Sequence, residues 1–170
     1  EDQRKVCKDK ALRLWNTAAD SVSASLPYIV KKGIRPIGAR QLRNQLLIPM
    51  YQVNLENPKQ PCLVMVSLQI ITEAQTDDGG KEIKKVFLTG TPKKGSFCLL
   101  APPGTDESDI VYVCEGWATG CSIYQATQKP VYVAFDAGNI DSVITAIKPI
   151  EKHRIVIAAD NDCYYHTKLK

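Results

Sequence analysis

The sequence has no long hydrophobic run. Nothing in it approaches the roughly 20 consecutive apolar residues of a membrane-spanning helix, so a transmembrane reading is excluded at the outset. The opening residues Glu1 to Lys10 are charged and lack the apolar core of a signal peptide, and the missing initiator methionine suggests a piece of something longer. There is no C-x-x-C pair among the six cysteines, Cys7, Cys62, Cys98, Cys114, Cys121 and Cys163. Several of them sit inside apolar strand-like runs such as "SFCLL" and "VYVCE", which predicts reduced core thiols in a cytoplasmic protein instead of a disulfide or zinc framework. Cys163 and His166 have a ligand-like spacing, but one such pair does not hold zinc. Internal repeats and low-complexity segments are also lacking. A hydrophobic fraction of 44% with interspersed charge excludes a disordered chain, and 170 residues suffice for one sizeable core or two small subdomains.

What the chain does have is an uneven distribution of charge. Residues 1–100 carry 16 Lys and Arg against 9 Asp and Glu, whereas residues 101–170 carry 6 against 9. The first part is therefore suited to polyanions and the second to cations, although solvated surface produces such imbalances too.

The pattern of elements changes along with the charge. "CKDKALRLWNTAAD" places Leu12, Trp15, Ala18 and Ala19 at helical spacing, and "LPYIVKKG" predicts a short second helix closed by Gly33. Four β-rich runs follow, "LLIPMYQV", "CLVMVSLQIIT", "KKVFLTG" and "SFCLLA", with connections too short for parallel crossovers, so an antiparallel meander is expected. "APPGTDESD" is the natural boundary. Beyond it, "DIVYVC", "ATGCSIYQAT", "KPVYVAF", "NIDSVITAIK" and "HRIVIAAD" alternate strand and helix, the signature of a parallel α/β unit.

Open parallel sheets collect their functional groups beyond the carboxyl ends of the strands. The first of these strands ends at Glu115, the second at Asp136 and the third at Asp160 and Asp162. If the first and third strands are neighbours, three carboxylates converge, and such a group calls for a bound cation. Carboxylate donors with no histidine or thiolate suit Mg²⁺ or Mn²⁺, which makes a metal the expected partner of Glu115. An Asp-x-Asp at a strand end also arises by chance, and Asp160 alone fits a helix cap.

A strand ending in Glu-Gly, followed by one ending in Asp-x-Asp, resembles the Toprim domain shared by bacterial-type primases, topoisomerases and some nucleases. More narrowly, "VYVCEGWATGCSIYQATQKPVYVAFDAGNI" with "RIVIAADND" is similar to the DNA primases of plasmids, phages and other mobile elements. "LPYIVKKGI" and "KKVFLTGTPKKGSFCLL" resemble the basic segment those primases carry ahead of the Toprim fold. Thr119 stands four positions after Glu115, where replicative primases often carry an aspartate and the mobile-element type carries this threonine.

The resemblance implies a primase catalytic core. Residues 1–100 would form a basic α+β N-terminal subdomain of helices and antiparallel meander, and 101–109 a linker. Residues 110–170 would form an α/β Toprim subdomain with a Rossmann-like parallel sheet, truncated at its C-terminus. It also implies metal-dependent synthesis of short RNA primers on a single-stranded DNA template from ribonucleoside triphosphates, with a replicative helicase, or a helicase domain of the same polypeptide, as a candidate further partner. Glu115, Asp160 and Asp162 would be catalytic and would bind Mg²⁺ or Mn²⁺. Asp136 would touch the same metal, stand behind those ligands, or simply shape a turn and start a helix at Asn139. Lys85, Lys93 and Lys94, and next to them Lys31, Lys32 and Arg35, would contact phosphate. Two other readings remain: a Toprim nuclease, and a non-catalytic module that binds single-stranded DNA or a protein partner. Trp117 and Tyr112 are expected to pack beside the sheet and not to stack on bases.

Overall fold

The computed structural model describes residues 2–101 and 109–159. Helix α1 (Asp2–Thr17) buries Cys7 and Ala11, and α2 (Pro27–Lys32) starts on a proline and ends on Gly33 in the left-handed conformation, as the sequence predicts. Strands β1 (Arg40–Leu42), β2 (Gln45–Asn54), β3 (Cys62–Gln75) and β4 (Lys81–Phe87) then form an antiparallel sheet in the order β1-β2-β3-β4.

The apolar run "LLIPM" explains the place of β2. A strand with one solvated face alternates, whereas this one is buried from Leu46 to Met50 because both faces are covered. Leu46 and Ile48 face a core shared with α2 and the second sheet, while Leu47 packs with Cys7, Ala11 and Leu68 under α1. Each of these three side chains is at most 1% exposed and contributes roughly 1.5–3 kcal/mol by leaving water. Pro49 is tolerated because β1 pairs only with Gln45 to Leu47, so no ladder bond is asked of the proline nitrogen on that side.

The second sheet contains β5 (Cys98–Leu100), β6 (Ile110–Cys114), β7 (Val131–Val133) and β8 (Arg154–Ala158) in the order β5-β7-β6-β8. β6 runs parallel to both β7 and β8, so the expected adjacency of the first and third α/β strands holds. Helix α3 (Trp117–Thr127) covers the face bearing Cys114, Val131 and Val133. Helix α4 (Ile140–Ile147) covers the opposite face with Val111, Val113, Tyr132 and Ala134.

One strand departs from expectation. β5, grouped by sequence with the antiparallel meander, pairs instead with β7 as the antiparallel edge of the second sheet. Its short "CLL" core is fully apolar and belongs between two layers, which sequence spacing alone does not assign. The sheets also meet through paired backbone hydrogen bonds between Tyr51 and Phe97, at 2.7 and 3.0 Å.

Cys7, Cys98, Cys114 and Cys121 are free and buried, and Cys62 is free and exposed. Burial pushes the Cys121 thiol up to about 12, in keeping with inert core thiols. Among the described residues, no helix is long and apolar enough to cross a membrane.

Candidate functional site

Three parallel strands end level with one another. Cys114 at the end of β6 is in register with Val133 on β7 and with Ala158 on β8. Glu115 therefore leaves the sheet from its middle strand, flanked by the ends of the other two. The residue is half-buried and lies one position before Gly116, the N-cap of α3. Asp160 and Asp162, two and four positions beyond Ala158, lie outside the described residues.

Trp117 anchors the start of α3. It is 2% exposed, its Nε1 donates to the Ile37 carbonyl at 3.1 Å, and it stacks on Tyr28 at a centroid distance of 6.4 Å. Trp117 thus packs in the core, and Tyr112 is half-buried against the same cluster.

The end of β7 is built differently. Phe135 has φ of 68°, a left-handed conformation unusual for a bulky residue, and turns the chain sharply. Asp136 then caps the 3-10 turn Ala137–Asn139, its Oδ1 accepting from the Gly138 N–H at 2.8 Å. The turn-shaping role considered for Asp136 is what its hydrogen bond shows. Asn139 precedes α4, yet its side chain does not cap that helix. Instead its Nδ2 donates to the carbonyls of Ala134 (2.9 Å) and Ser96 (3.0 Å), and its Oδ1 accepts from the Gly95 N–H (2.8 Å).

These three bonds clamp the loop from the other half of the chain onto the β7 turn. That loop, "TPKKGS", closes with the Ser96 N–H donating to the Lys93 carbonyl at 3.0 Å, and Gly95 at φ 71° supplies the left-handed turn position. Gln52 of β2 supports it with bonds to the carbonyls of Pro92 and Lys94 at 3.4 and 3.3 Å. Lys93 and Lys94 are exposed and line a cleft of about 500 Å³ together with Met50, Phe87, Phe135 and Asp136.

The structure therefore brings Asp136, Lys93 and Lys94 around one cleft, on the edge from which Glu115 emerges. Lys85 stands elsewhere on β4, its Nζ 5.4 Å from the centroid of Tyr28. Lys31 and Lys32 are exposed in the last turn of α2, and Arg35 is exposed on the segment that follows, its carbonyl accepting from Gln125 of α3 at 3.4 Å. None of these four lines the cleft.

Sequence reasoning missed Phe87, Phe135 and Met50 as cleft residues and Asn139 as the clamp. The only signal was the run "AFDAGN", where a phenylalanine sits among turn-forming residues. No group of three or more His, Cys, Asp or Glu able to hold a metal stands among the described residues. The acids that are described at this edge, Glu115 and Asp136, are both hard oxygen donors, and their chemistry fits Mg²⁺ or Mn²⁺.

No curated protein and no solved structure matches the chain. A family model does match, over residues 110–165, and its description is the Toprim domain. Such domains occur in primases and nucleases and bind divalent metal ions, usually Mg²⁺. The stretch that begins at β6 and passes beyond β8 is a Toprim domain.

Proposed function

We propose that this chain is the catalytic core of a DNA primase of the mobile-element type, joining ribonucleotides on a single-stranded DNA template. The observation that carries the reading is the clamp: Asn139 fastens the Lys93–Lys94 loop to the turn after β7, so two lysines share one cleft with Asp136 at the Toprim edge. A nuclease has the same acids. A polymerase must also hold a triphosphate and a template beside them, and a basic layer built into the fold supports that task.

A divalent ion at this edge would neutralise charge on phosphate oxygens. Asp160 and Asp162, with Glu115, are the residues that would hold it. Glu115 is also the group suited to accept the proton of the attacking 3′ hydroxyl, because β6 delivers it to the middle of the edge. Lys93 and Lys94 hold phosphate, and Lys85, Lys31, Lys32 and Arg35 extend the positive surface toward the strand. Ribonucleoside triphosphates, single-stranded DNA and a replicative helicase are the corresponding partners, and the cytoplasm the corresponding location.

Ribonucleotide incorporation on a single-stranded template, assayed beside nicking of labelled DNA, tests the reading. The wild-type protein is expected to incorporate ribonucleotides, and Glu115→Gln and Asp160→Asn to lose about 10²–10⁴-fold. Mn²⁺ binding should disappear in the Asp160→Asn/Asp162→Asn double variant. Nicking without incorporation would place the protein with the nucleases instead. DNA binding indifferent to metal, with neither activity, would make it a binding module.

A further inference from the structure

Part of the cleft is unlike a phosphate or metal site. Met50, 1% exposed, lies at its base, and Phe87 and Phe135 meet edge to face beside it, centroids 5.9 Å apart at 87°. Two aromatic rings and a thioether suit a flat, largely apolar ligand. Phe135 holds its place in a left-handed conformation that a bulky side chain rarely adopts, so the fold keeps this ring at the cleft against its own backbone preference. The Lys93 Nζ lies 4.6 Å from the centroid of Phe87, which sets a cation beside the aromatic surface. A volume of about 500 Å³ falls within the range of about 300–1,000 Å³ common for small-molecule sites.

Resting on the reading of this edge as a nucleotidyl-transfer site, the geometry points to a nucleotide pocket with its own aromatic seat. A nucleobase lies against Phe87 and Phe135, and the phosphate attached to the same nucleoside meets Lys93 and Lys94. Asn139 is a positioning residue, because its three hydrogen bonds fix the lysine loop relative to the Phe135 turn. The same chemistry is presented by a free nucleotide and by a nucleotide within a strand.

Fluorescence anisotropy of a ribose-labelled ATP analogue, measured in EDTA, tests the pocket independently of metal. Saturable binding is expected, weakened about tenfold in Phe87→Leu, which preserves apolar bulk but removes the ring. ATP should displace the analogue better than adenosine does, and Lys93→Gln/Lys94→Gln should abolish that preference. Asn139→Ala should shrink the preference while adenosine competes as before, a change that general loosening of the fold would not produce. Displacement by oligothymidylate, with the same Phe87 sensitivity, would assign the bound nucleotide to a strand; displacement by ATP alone would assign it to free nucleotide. Absent binding, or equal binding by wild type and Phe87→Leu, overturns the pocket. A separate Mn²⁺ titration judges the metal reading, so the two fail by different signs.

Discussion

Tyr28 is nearly enclosed, yet its hydroxyl has no hydrogen-bond partner among the described residues. Burial, and next the neighbourhood of Cys121, pushes its pKa up to about 12, so the group stays neutral at ordinary pH. The ring has clear work, stacking on Trp117 and lying under the Lys85 cation. The oxygen instead leaves its desolvation cost without compensation. Tyr28→Phe is therefore expected to preserve stability or raise it by up to about 1 kcal/mol in urea unfolding. A loss of that size would show that the hydroxyl has a partner after all.

At the level of elements, α3 lies unusually close to the sheet. A Cβ on Gly120 would stand 2.7 Å from Val133 Cγ2, 3.2 Å from Leu100 Cδ1 and 3.3 Å from Cys114 Sγ. Alanine is the better helix former by about 1 kcal/mol, but Val133 is a stiff, buried side chain that cannot move aside. Gly120→Ala should destabilise the protein by about 1–3 kcal/mol, read as a lower urea midpoint. An unchanged midpoint would mean that α3 slides freely. Most elements are legible in the sequence, because strand-forming runs, Gly33 and the helical periods of α3 and α4 are local signals. The site is legible only in part. Glu115 and Asp136 announce themselves by ending strands, but the function of Asn139 depends on Gly95 and Ser96, more than forty positions away. The side to which β5 belongs is likewise fixed by a partner, β7, and not by its own residues.

At the scale of the whole molecule, the excess of Lys and Arg in residues 1–100 has a measurable consequence at one loop. Lys93 and Lys94 are exposed on a loop that the fold holds against the Toprim turn, and their net effect should appear in the salt dependence of binding. Lys93→Glu/Lys94→Glu is expected to weaken affinity for single-stranded DNA and to flatten the slope of log K against log salt by about 0.7 for each phosphate that is no longer neutralised. A slope equal to that of the wild type would remove these lysines from the nucleic-acid surface.

The antiparallel pairing of β5 with β7 also has a meaning for folding. β5 emerges before the strand that completes it, and the strand between them in the sequence, β6, sits on the far side of β7 in the sheet. The second sheet therefore closes through pairings between distant parts of the chain, and its formation belongs with the slower part of the folding reaction. A chain severed between β5 and β6 would leave the β5 edge uncovered, an invitation to intermolecular strand pairing. Residues 98–100 precede the Toprim match in the sequence and yet are tied to it, because their strand is completed only by β7.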